Sequence, residues 1–176
     1  RGTSALEENL RALLPIRLHR TPGSGFEYSS VNYDVLGLVL ESLEKESFAA
    51  VLRKEVFAPA GLEHTSAGDR PASPKIARGH KLSFFSASSY EPPPFEGNTP
   101  AAYIHSTPSD MLLWLKLQVG GPRPGSGALA EEIRRSHVVG AAQAGYASGW
   151  EQSGPLLAHE GENPIAPNRS HSRLVR

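Results

Sequence analysis

Few residues in the 176-residue chain combine types and spacings suited to chemistry. Tyr28 is followed by two hydroxyls, Ser29 and Ser30, and then by Asn32. A phenol is useless as a base near neutrality unless cations favour its ionised form, because its ordinary pKa is about 10. Ser42-Leu43-Glu44-Lys45 sets a hydroxyl and an amine three residues apart, a spacing that places both on one face of a helix. That pattern fixes only two letters in four and is read as a chance occurrence. His159-Glu160-Gly161-Glu162-Asn163 opens like the zinc motif His-Glu-x-x-His, but Asn163 replaces the second histidine and no helix is predicted there. The other histidines have no ligand spacing, and no Gly-rich phosphate loop is present, so no metal or other cofactor is expected.

Composition narrows the classes further. Eighteen Lys+Arg balance eighteen Asp+Glu, so no basic excess exists to neutralise phosphates, and nucleic acid is excluded as the expected partner. The chain has no cysteine, hence no disulfide framework and no thiolate nucleophile. No apolar run approaches the roughly 20 residues needed to cross a bilayer. Seventeen Gly and fifteen Pro predict long loops.

The elements that must position these side chains can be read in order. Leu6, Leu10, Leu13 and Leu14 mark an amphipathic helix that Pro15 stops, and Ile16 to Leu18 reads as a brief extended link. Thr21-Pro22-Gly23-Ser24-Gly25 is a turn. Val31 to Leu43 is the most apolar stretch, a helix whose apolar residues predict burial nearly all round. A second helix is expected from Ser47 to Val56, with Ser47 as N-cap and Phe48, Val51, Leu52 and Val56 inward, ended by Pro59 and Gly61. Residues 68 to 100 read as a long surface excursion with one strand near Lys81 to Phe85. Thr107-Pro108-Ser109-Asp110 starts a helix in a capping-box-like arrangement, which Gly120-Gly121 ends. A short helix covers Leu129 to Arg135, with Arg134 and Arg135 on a solvated face. Two short strands, Tyr146 to Trp150 and Leu156 to His159, are joined by a turn at Ser153-Gly154-Pro155. Trp114 and Trp150 are expected in the core. Residues 168 to 176, polar and basic, are expected to be loosely ordered.

Four ordered motifs then form one pattern. Pro22-Gly23-x-x-Phe26-x-Tyr28-Ser29-Ser30-x-Asn32-Tyr33-x-x-Leu36-Gly37 resembles the middle motif of the serine β-lactamase-like superfamily, which includes class C β-lactamases, D-Ala-D-Ala carboxypeptidases and related esterases. Phe57-Ala58-Pro59-Ala60-Gly61-Leu62-x-x-Thr65, Ser106-Thr107-x-x-Asp110-Met111, and Tyr146-x-x-Gly149-Trp150 followed by His159-Glu160-Gly161 resemble that superfamily's later motifs in the same order. The resemblance implies an α/β fold of the α+β type, β-lactamase/transpeptidase-like and partial: an antiparallel sheet with flanking helices and a helical subdomain. Residues 1–164 would form the partial domain and 165–176 an atypical polar tail.

The resemblance further implies acyl transfer through a covalent acyl-enzyme. Tyr28 would exchange a proton with the nucleophile, and His159 would hold the third-motif position. Gly161 would leave room for substrate against a strand edge, and Ser30 would contact substrate where the family commonly has Asn. Ser has one donor and a shorter reach than Asn. Ser30-x-Asn32 also mimics the Ser-x-Asn motif of class A β-lactamases, a register read as coincidental because the surrounding pattern aligns Tyr28. The partner implied is a small-molecule or peptide substrate. A Ser-x-x-Lys nucleophile is expected upstream of the Tyr motif, in a segment these residues lack, as are the last strands. Part of the sheet edge and apolar surface is accordingly expected to be uncovered. Relatives are usually exported or membrane-attached, which implies a location facing the cell wall. The alternative is a catalytically inactive domain that binds peptides or cell-wall fragments.

Overall fold

A computed structural model of the chain describes residues 4–14, 17, 20–68, 76–83, 85–90, 96–120, 127–139, 145–161 and 172–175. Most of the expected Ile16–Leu18 link and all of Pro92-Pro93-Pro94 lie outside them. Helix α1 (Ala5–Ala12) is capped by the Ser4 hydroxyl, which accepts from the Glu7 N–H at 3.2 Å. Helix α2 (Ser30–Glu44) stops at Lys45, which takes left-handed backbone with φ 61°. Ser47 caps α3 (Phe48–Leu52) as its residue type predicts. The helix does not then run on regularly to Val56. It widens into a π turn over Arg53–Phe57 before resuming as α4 (Ala58–Ala60). Gly61 closes it at φ 66°, and the Leu62 N–H returns to the Phe57 carbonyl at 2.8 Å.

Two groups of buried residues hold the helices. Phe57, Ala60, Leu62, Leu117 and Ile133 form one, packing α4 against α5 (Pro108–Gln118) and α6 (Gly127–Ser136), with Trp114 partly buried against them. The other lies where α1 and α2 meet a 3-10 turn at Glu96–Asn98 and the residues after it. Leu6 is buried there, and the Asn9 amide donates to the Gly97 carbonyl at 2.7 Å. A Cβ at Gly37 would lie only 2.2 Å from Pro100 Cγ and 3.3 Å from Leu6 Cδ2, so only glycine permits this crossing.

Asp110 departs from its expected role in a capping box. Thr107 caps α5 by accepting from the Asp110 N–H, but the Asp110 carboxylate turns to the loop after α4. It accepts from the His64 N–H at 2.8 Å and the Thr65 hydroxyl at 2.7 Å. Burial acts to raise its pKa, yet those bonds and the adjacent His64 together hold it below the ordinary carboxylate value.

The strands are antiparallel throughout, in three small sheets. Strand β1 (Ser66–Ala67) pairs with β4 (Ile104–His105). The excursion carries a hairpin of β2 (Gly79–Ser83) and β3 (Ser86–Tyr90) where one strand was expected. The third sheet has the order β5-β6-β7, from Glu151–Ser153, Leu156–Gly161 and Ser172–Val175. Two further expectations are corrected here. Tyr146–Trp150 is not a strand: Tyr146 makes one isolated bridge to Glu151, and the chain turns at Gly149, φ 90°. Residues 172–175, expected to be loosely ordered, form β7, because β6 offers them an open edge to pair with.

Helix α2 is not buried all round. Val35, Leu36, Val39 and Leu43 are 47, 58, 47 and 71% exposed, while its buried residues are Asp34 and Gly37. An apolar groove of about 490 Å³ runs along it, lined among others by Leu10, Leu14, Leu38 and Leu43. Helix propensity forms the element; its small, polar side does the packing.

Two predictions follow from that inversion. Gly37→Ala should lower stability by about 1–3 kcal/mol in a thermal melt, the usual cost of overpacking, despite alanine's better helix propensity. Asp34, 1% exposed, has its carboxyl pushed up to about 6 by burial, partly offset by a hydrogen bond from the Ala101 N–H. Since the folded value exceeds the unfolded 3.8, the acid's contribution is complete below the unfolded value and is lost as pH rises through about 6. Melts should therefore weaken by about 2 kcal/mol across that window, and Asp34→Asn should flatten the slope.

Candidate functional site

Phe26 and Tyr28 stand two residues apart on the segment that enters α2, a spacing that sends both side chains the same way when the backbone is extended. Both meet Tyr146. The Phe26 and Tyr146 rings lie 4.8 Å apart and tilted by 30°; Tyr28 meets Tyr146 edge-on at 6.1 Å and 75°. The first turns of α2 add Tyr33, whose hydroxyl is 3.5 Å from that of Tyr146. Together with Asn32, Leu36, Ser148 and Gly149 these residues line an open groove of about 290 Å³.

Within this groove Tyr28 is half exposed, whereas Tyr146 is buried. Burial first, then the neighbouring Tyr33 and Tyr28, drive the Tyr146 hydroxyl far above the ordinary phenol range. It is therefore fixed as a neutral hydrogen-bonding group. Tyr28, reachable from solvent, is the phenol positioned to meet a substrate.

His159 is reached by a different route. It sits on β6, half-buried, beyond the β5 ladder. The register that sets Glu151 opposite Ala158 extends by one residue to set Trp150 opposite His159, and their rings meet edge-on at 6.4 Å. Trp150 is accordingly half-buried between rings rather than in the core, correcting the sequence expectation. Gly161 ends β6 opposite Ser172 of β7.

The four sequence candidates thus fall into two places. Tyr28 lines the groove; Ser30, exposed, begins α2 and is not among the groove's lining residues. His159 and Gly161 lie on β6, likewise outside that lining. What joins the two places is the segment Gly145–Trp150, with Tyr146 at one end in the groove and Trp150 at the other against His159. Sequence reasoning passed over Tyr33, Tyr146 and Asn32 as site residues. The signal for the first two was present in their aromatic type within motifs already singled out, and Asn32, dismissed as a coincidence of register, stands in the groove wall.

Ser42 and Lys45 take no part. Both are exposed at the end of α2; Ser42 lines the α1–α2 groove instead, and the Lys45 ammonium bonds the Ser42 carbonyl. Among the described residues no group of acidic, histidine or cysteine side chains is arranged to hold a metal, and no helix is long and apolar enough to cross a membrane.

Comparison with known proteins places this geometry in context. Protein flp of Staphylococcus aureus is 30% identical over 148 residues, covering 82% of this chain and 30% of that protein. The chain thus spans about a third of the length of the curated relatives it matches. The penicillin binding protein of Bacillus halodurans superposes with a TM-score of 0.63 at 21% identity, over 92% of this chain and 55% of that one. The D-alanine carboxypeptidase AmpC of Burkholderia cenocepacia gives 0.65 at 21% identity, over 99% and 50%. These likenesses establish a β-lactamase/transpeptidase-type fold, present here in part. The beta-lactamase family profile matches residues 1–167, nearly the whole sequence, and the chain belongs to that family.

Proposed function

We propose that this chain supplies part of the active site of a serine hydrolase that works through an acyl-enzyme on an ester, amide or β-lactam carbonyl. The nucleophile comes from a segment outside these 176 residues. The observation that carries the reading is Tyr28: a solvent-reachable phenol on the wall of an aromatic groove, tied through Gly145–Trp150 to the strand that bears His159.

In this reading the Tyr28 oxygen takes the proton of the attacking hydroxyl and returns it to the leaving group. The acyl-enzyme is then released by water, whose proton passes through the same oxygen. Cations must accompany that phenol for it to act as a base. His159 is one source, and a lysine beside the nucleophile is the other. The apolar rings of Phe26 and Tyr146 seat the substrate's side group, and the Asn32 carboxamide offers the donor that Ser30 is too short to supply. Gly161 leaves the β6 edge clear for substrate backbone. The family's relatives suggest a protein facing the cell wall.

A second reading, a catalytically inactive domain that binds peptide or cell-wall fragments, is favoured by Ser30, which departs from the family's usual Asn. A fluorescent penicillin and a fluorophosphonate probe separate the two. The parent protein should label covalently, and Tyr28→Phe should slow labelling by about 10²- to 10⁴-fold, the ordinary worth of a positioned proton-transfer group. The 176-residue chain alone should not label. A parent that binds the penicillin reversibly and never forms a covalent adduct supports the inactive domain and ends the hydrolase reading.

A further inference from the structure

His137 lies far in sequence from the proposed site, yet its ring is part of the same stack. It follows the last turn of α6, where its N–H bonds the Arg134 carbonyl at 3.3 Å. Its Nε2 is 2.7 Å from Oε1 of Gln118, the last residue of α5 and itself 6% exposed. An amide oxygen only accepts, so Nε2 carries the proton and the tautomer is fixed. The ring then meets the Trp150 indole edge-on, at 5.8 Å and 90°. On the indole's other contact stands His159, at 6.4 Å and 75°.

Edge-to-face contacts at these separations are directional, because the positive edge of one ring seeks the negative face of the next. An indole with two such neighbours has its orientation set by both. A second tie runs alongside: the Ser148 N–H donates to the Ser136 carbonyl at 3.0 Å, locking the Gly145–Trp150 segment to the residue before His137. The end of the helical layer thus reaches the third-motif strand by a continuous path, from the buried Gln118 through His137 and Trp150 to His159.

We infer that His137, anchored by Gln118, is a positioning residue that fixes the orientation of His159 through the Trp150 indole. Its functional consequence rests on the reading of His159 as a site residue. His137 touches no reacting atom in this role; it decides where the imidazole of His159 points.

The test is nuclear magnetic resonance on the full chain, with the His159 imidazole and Trp150 indole signals assigned by substitution of each. His137→Ala should displace both signals by more than a linewidth at fixed pH, whereas His137→Phe, which keeps an aromatic edge, should restore most of both. His105→Ala, on β4, should leave both unmoved. If His137→Ala fails to fold, Gln118→Leu, which removes only the anchor, should still displace them. Movement of the Trp150 signal with His159 unmoved would overturn the inference, as would equal movement in His105→Ala. In the parent protein, His137→Ala should slow probe acylation by about tenfold or more through misplacement alone. Should His159→Ala leave acylation intact while His137→Ala still shifts the His159 signal, the positioning stands and the assignment of His159 to the site is what fails.

Discussion

Helix α2 crosses the turn after Glu96–Asn98 at a separation that no side chain larger than a hydrogen atom allows. At Gly37 the helix backbone meets the Pro100 ring, and one turn earlier the Asp34 carboxyl accepts from the Ala101 N–H. These contacts set the depth and rotation of a helix whose larger apolar residues face outward. Everything at its N-terminal end inherits that placement: Tyr33, Asn32 and Leu36 in the groove wall, and the segment through Phe26 and Tyr28 that leads into it. Burying a carboxyl here costs stability, and α2 accepts that cost in exchange for a fixed orientation where packing area is small.

The second organising element is short and mostly irregular. Gly145–Trp150 closes on itself through the Ala147 N–H to the Trp150 carbonyl at 2.7 Å and joins β5 through the Gln152 N–H to the Gly145 carbonyl at 2.6 Å. It buries Tyr146 and Ala147 while leaving Gly149 to make the turn. A loop so bonded transmits position rather than absorbing it. Residues that sequence separates by more than a hundred positions, Tyr28 and His159, consequently belong to one packed assembly even though they do not line one groove.

Much of this was legible beforehand for physical reasons. Ser47 and Thr107 cap their helices because their hydroxyls have no better partner than an orphan N–H three residues on. The helix after Tyr28 was evident from its apolar period, but that same period misled about burial: periodicity states which residues could be covered, not whether anything covers them. Asp110 was placed in a capping box because local spacing cannot see the His64–Thr65 loop that competes for its carboxylate. The strand expected at Tyr146–Trp150 failed because aromatic content imitates strand propensity, whereas Gly149 at φ 90° demands a turn. Of the site, the motif residues Tyr28 and His159 could be named in advance. The link between them could not, since ring-to-ring contacts across α5, α6 and β6 leave no trace in linear spacing.

The widened turn at Arg53–Phe57 has a consequence for how this sequence tolerates change. Each residue of an α-helix advances it by about 100°, and a π turn stores one surplus residue relative to that count. Shortening this stretch by a single amino acid would leave a regular helix of the same outline but rotate everything after it by more than a quarter circle. Phe57, Ala60 and Leu62 would swing away from Leu117 and Ile133, so a one-residue deletion there should be more damaging than most side-chain replacements nearby.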